Sequence, residues 1–90
     1  MKKSEAVVVG KALAKVYFKM YIKTFKLKNT LLKDEIEIIG LKENKETKYY
    51  KMIFKLPKLD SVLCVIDYNI SGKRFGGYIF NKVEIERDEV

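Results

Sequence analysis

Ninety residues make one small domain, and an apolar share of 48% supplies enough material for a single core. There is no run near the ~20 apolar residues of a membrane span, no secretory pattern in MKKSEAVVVG, and only one cysteine, Cys64, which excludes an internal disulfide and fits a reducing cytoplasm. The net charge of +7 is unevenly placed: residues 1–33 carry nine lysines against Glu5 alone, while residues 34–90 are nearly balanced, a distribution that points to an anionic partner.

In chain order, the first element is ambiguous. On a helical wheel, residues 11–27 gather Lys11, Lys15, Lys19 and Lys23 into one stripe. Read as a strand, Val16, Phe18, Met20 and Ile22 face inward, and Lys15, Tyr17, Lys19, Tyr21 and Lys23 form an outward ladder. Val, Tyr, Phe, Ile and Thr dominate 16–25, and their stiff side chains favour the strand. Residues 35–41, EIEIIGL, alternate and are predicted to form a strand. The polar KENKE after them reads as a hairpin loop leading into TKYYKMIFKL, residues 47–56, where Tyr50, Met52, Phe54 and Leu56 alternate, although Lys48, Lys51 and Lys55 also suit a helical stripe. SVLCVIDYNI, residues 61–70, reads as a buried strand. SGKR then turns into a last strand across 78–86, with Ile79, Val83 and Ile85 inward. No linker, repeat or low-complexity run divides residues 1–90.

The stretch KNTLLKDEIEIIGLKENKET, residues 28–47, resembles the second domain of translational GTPases of the elongation factor Tu and initiation factor 2 type. Thr30-Leu31, Asp34-Glu35-Ile36-Glu37-Ile38, Gly40 to Glu43 and Thr47 follow that family's turn, strand and loop. Gly10-Lys11, Tyr17-Phe18-Lys19 and Lys26-Leu27-Lys28 lie in places like those of small stand-alone archaeal versions, and the tail from Ile85 to Val90 looks like the closing strand. The resemblance implies an all-β fold, a small closed antiparallel barrel of about six strands, and a non-enzymatic accessory module bound to RNA or the ribosome, or docked on a translation factor or GTPase. Leu32-Lys33-Asp34 lacks the family's turn glycine, Lys58-Leu59-Asp60 lacks another, and Gly10-Lys11 is not a phosphate loop. VVVGKALAK, residues 7–15, is also similar to the start of Alba, the archaeal chromatin protein. That likeness implies an α/β fold and an architectural nucleic-acid-binding role. A protein-docking module without nucleic-acid binding is the third expectation.

Catalysis is not expected. Histidine, the usual general base and metal ligand, is absent. Cys64 sits in the apolar run VLCVI, as a small hydrophobe rather than a nucleophile. Asp34, Glu35 and Glu37 read as a turn and a solvent-facing strand edge, and Glu84, Glu86 and Asp88 on one strand are too few to hold a metal. No cofactor is implied. Two features could hold RNA: the Lys15, Tyr17, Lys19, Tyr21, Lys23 ladder with Lys11 beside it, joining phosphate neutralisation to base stacking, and SGKRFGG, where Lys73 and Arg74 could clamp a phosphate.

Overall fold

The computed structural model of the protein describes residues 3–82. Helix α1 spans Lys3–Thr24, a short 3-10 turn spans Asn29–Leu32, and four strands follow: β1 (Glu37–Asn44), β2 (Tyr49–Leu56), β3 (Leu59–Asn69) and β4 (Arg74–Asn81). The strands form one antiparallel meander in the order β1-β2-β3-β4, with α1 packed on one face.

This architecture overturns the closed six-strand barrel. The first quarter of the chain is helical, the described residues hold four strands, and β1 and β4 stand at opposite edges of an open sheet. The order of one helix followed by a meander also differs from the strand–helix start expected from the likeness to Alba.

The reason for the helix lies in which residues can reach the sheet. Ala6, Gly10, Ala14, Phe18 and Ile22 recur every fourth residue and all are buried. Helical geometry aligns them, at ~100° per residue, into one slowly turning stripe. A strand would instead bury Val16 and Met20, which are 55% and 60% exposed. The propensity penalty for aromatic and β-branched residues is at most ~0.7 kcal/mol each; Phe18 and Ile22 are inward under either period, and the helix alone aligns them with Ala6, Gly10 and Ala14 in one stripe that the sheet covers. Gly10 permits the close approach: a Cβ there would stand 2.8 Å from Met52 Cε and Sδ and 3.0 Å from Phe54 Cζ. Glu5 in the first turn and Lys23 in the last complement the helix dipole.

The helix stops without glycine. Leu27 N–H donates to Ile22 O (2.9 Å) and Lys26 N–H to Lys23 O (3.3 Å), while Lys26 adopts φ 56°. This is a Schellman closure with lysine in the left-handed position that glycine ordinarily fills.

The strands expected over 35–41, 47–56 and 61–70 correspond to β1, β2 and β3, with shifted ends. The last strand begins earlier than expected, at Arg74 instead of residue 78; Ile79 packs against the core, and Val83 and Ile85 lie outside the described residues. Under the helix lie Tyr50, Met52, Phe54 and Leu56 from β2 and Val62, Cys64, Ile66 and Tyr68 from β3, all buried. Gly77 of β4 meets the helix: a Cβ there would come within 2.8 Å of Ile66 Cδ1 and Val65 O, and 3.2 Å of Tyr17 Cε2. Among the described residues the other sheet face has no second layer. Even so, β3 is buried continuously from Val62 to Ile66, because Leu63 lies between Lys55 and Phe80 and Val65 between Ile53 and Tyr78 in the register.

Candidate nucleic-acid interface

The lysines and tyrosines of the expected ladder part company on the helix. Residues two apart are rotated by ~200°, so Tyr17 and Tyr21 fall on the flank roughly opposite Lys15, Lys19 and Lys23. Both tyrosines pack toward β4. Tyr17 closes on Gly77, and Tyr21 Oη accepts a hydrogen bond from Asn81 Nδ2 (3.1 Å) while its ring tilts against Phe25 at 4.6 Å between centroids. The single surface of five alternating side chains is therefore not formed. Tyr17 and Tyr21 serve the helix–sheet contact.

Lys15, Lys19 and Lys23 are exposed, each ~6 Å further along the axis. Lys26 and Lys28 follow the helix end, the chain then turns back, and Lys33 lies at the cleft beside Lys11 and Lys15; Lys26, Lys28 and Lys33 are exposed. Among the described residues none of these six makes an ion pair; the acids that are paired meet other lysines. Lys11 differs. Its Nζ donates to Glu35 Oε1 at 2.9 Å, and this bond and its charge hold the Glu35 carboxyl below its ordinary pKa. The two residues border a cleft of about 330 Å³ between α1 and the segment after the 3-10 turn, lined also by Lys15, Leu32, Asp34 and Ile36. In it Asp34 Oδ2 is shielded from solvent, accepts no hydrogen bond, and meets Lys58 Nζ at 3.4 Å.

Lys73 and Arg74 belong to a different surface. Arg74 pairs with Asn69 in the register and lies on the uncovered face of the sheet, in one row with Asn44 and Tyr49. The next row is Lys42, Lys51, Asp67 and Gly76, and the one after is Gly40, Ile53, Val65 and Tyr78. A cleft of about 350 Å³ opens on this face beside Tyr49, bordered by Lys42, Thr47, Lys51 and Asp67.

The two hairpin loops at that end share one construction. Asn44 Oδ1 accepts from the N–H groups of Glu46 (3.0 Å) and Thr47 (3.1 Å), and Asn69 Oδ1 from that of Gly72 (2.8 Å). Each loop then ends on a lysine with positive φ, Lys48 at 61° and Lys73 at 50°. Asn69 Nδ2 also donates to Thr47 O (3.2 Å), tying the loops together. Tyr49, Tyr78, Lys42, Lys48 and Lys51 are absent from the sequence-derived set. The matched spacing of Asn44 to Lys48 and Asn69 to Lys73 is the signal that finds the loops, and alternation through RFGGYIFN finds Tyr78.

Cys64 is fully buried beneath the helix, and burial pushes its thiol pKa up to about 12, which suits packing rather than nucleophilic chemistry. Burial also raises the Tyr50 phenol, helped by the Glu43 carboxylate that accepts its hydrogen bond at 3.4 Å. Among the described residues no group of three or more potential metal ligands comes together, and no helix is long and apolar enough to cross a membrane; Glu84, Glu86 and Asp88 lie outside those residues. No protein-family model matches the chain, and neither a curated protein nor a solved structure is detectably similar to it.

Proposed function

We propose that this protein is a non-enzymatic nucleic-acid-binding module of the cytoplasm that grips a phosphate backbone with the basic edge of α1. The observation that carries this reading is the set of Lys15, Lys19, Lys23, Lys26, Lys28 and Lys33, all exposed and, among the described residues, none in an ion pair. Exposed lysines grouped along and beside one helix suit a polyanion, because each contacted phosphate releases condensed counterions. The buried free thiol of Cys64 is in keeping with a reducing compartment.

The test is fluorescence anisotropy of labelled RNA and DNA oligonucleotides titrated with the protein from low to moderate salt. Binding should weaken as salt rises, with a log–log slope of ~−0.7 per phosphate contact on a single strand. Changing Lys15, Lys19 and Lys23 together to Gln should weaken binding to every sequence and flatten the slope by ~2. If the folded wild type binds no nucleic acid at low salt, the reading fails. Docking onto a protein then takes its place, through the outward apolar positions of α1, Val8, Val16 and Met20.

A further inference from the structure

The uncovered sheet face holds features that the helix edge does not explain. Tyr78 is 54% exposed there, tilted against Phe80 with ring centroids 6.0 Å apart. Gly76 sits next to Tyr78 in β4, and a Cβ on it would meet nothing within 4 Å, so the sheet surface stays low beside the ring. Tyr49 lies on the same face at its basic end, flanked in the register by Asn44 and Asn69. Around these rings stand Lys42, Lys51 and Arg74, with Lys48 and Lys73 at the loop ends. None of the five is in an ion pair among the described residues.

The loop lysines are informative because of their backbone. Lys26, Lys48 and Lys73 are the non-glycine residues with positive φ among those described, and all three are lysines. A side chain in the left-handed region costs about 1–2 kcal/mol relative to its ordinary conformation, a cost glycine avoids. In the two hairpins, the residue that bears this cost is in each case a cation, placed directly before Tyr49 or Arg74 at the same end of the sheet.

Charge selects the occupant. A second copy of the chain stacked face to face would bring Lys42, Lys51 and Arg74 against their own equivalents, with Asp67 as the acidic residue in the same rows. An acidic partner without rings would leave the exposed aromatics unused. Flat rings on a sheet, edged by unpaired cations, suit a strand whose bases are free to stack and whose phosphates run along the rim.

We propose that the uncovered face is a second contact surface, a stacking platform for the unpaired bases of single-stranded nucleic acid, with Tyr78 as its principal ring, Tyr49 as a second, and Lys48, Lys73 and Arg74 on the phosphates. This rests on the nucleic-acid reading and adds to it the preference for unpaired bases. The experiment compares a 12-nucleotide single strand, a fully abasic strand of the same length and the corresponding duplex, at one low salt concentration, by anisotropy. The base-bearing strand should bind more tightly than the abasic one. Tyr78→Ala should weaken the base-bearing strand ~5- to 150-fold and leave the abasic strand unchanged, and Tyr78→Phe should retain wild-type binding. Equal binding of base-bearing and abasic strands by the wild-type protein overturns the platform while leaving the helix-edge reading intact, and this comparison requires no variant to fold. Preference for the duplex over the single strand overturns it as well. Failure to bind all three overturns both readings.

Discussion

Phe18 and Met20 are two residues apart, and a helix and a strand assign them opposite fates. A strand buries both. Helix α1 buries Phe18 completely and leaves Met20 60% exposed. Replacing Phe18 by Ala removes a fully enclosed ring, and the lost transfer energy with the residual cavity costs ~3–5 kcal/mol. That is a large part of the ~5–13 kcal/mol that a chain of this length can be expected to have. Full burial of a methionine is worth ~1.5–3 kcal/mol. With two fifths of Met20 covered, Met20→Ala should cost only ~0.6–1.2 kcal/mol by that scale, less a few tenths for the better helix propensity of alanine. Urea unfolding at 25 °C, followed by far-ultraviolet circular dichroism, separates the two. With a slope of ~1 kcal/mol per molar urea, the Phe18→Ala midpoint should fall by ~3 M or the native baseline should vanish, and Met20→Ala should shift by ~1 M or less. If Phe18→Ala does not fold, Phe18→Leu supplies a smaller shift in the same order. Equal losses at the two positions would refute the helical packing.

Gly77→Ala should destabilise by ~1–2 kcal/mol in the same assay, because the added methyl meets a backbone oxygen, Val65 O, that has little freedom to move; Gly10→Ala should lie within ~1 kcal/mol of wild type, since its gain in helix propensity is offset by displacing the flexible end of Met52. Lys26→Gly should raise stability by ~0.5–1 kcal/mol by relieving the left-handed φ at the helix end. Cys64 should resist a thiol reagent at pH 8 in the native protein and react at once in denaturant. Because its pKa rises from 9.0 to about 12 on folding, the folded state holds the proton longer, and this contribution to stability is complete below pH 9 and lost as pH climbs toward 12. Cys64→Ala should therefore show a shallower loss of stability above pH 9 than the wild type.

The sheet was largely legible because its signals are local. Alternation in 49–56, the continuous run from Val62 to Ile66, and turn residues at 44–48 and 69–73 place strands and hairpins without knowledge of the rest. The first segment misled because both periods fit it. Its aromatic and β-branched content argues for a strand, but the deciding feature is the small-residue stripe Ala6, Gly10, Ala14, whose value appears only when a sheet bearing Met52 and Phe54 lies beneath it. The helix end was hidden too, since Lys26 stands where glycine would announce it. The exposure of Lys15, Lys19 and Lys23 was foreseeable under either period. The packing of the half-buried Tyr17 and Tyr21 toward β4 was not, because it follows from the helical rotation of each against its neighbours. The sheet-face rings and loop lysines could not be grouped before the strand order was known, since β1, β2 and β4 each supply part of that surface.

The most direct measurement is a two-dimensional amide NMR titration of the isotopically labelled protein with an unlabelled 12-nucleotide single strand at low salt. The account predicts perturbations concentrated in residues 15–33, in the loops 45–48 and 70–73, and in β4 around Tyr78, with Phe54 and Cys64 in the core little affected. An absence of perturbations, or perturbations confined to the outward apolar positions Val8, Val16 and Met20, would contradict it.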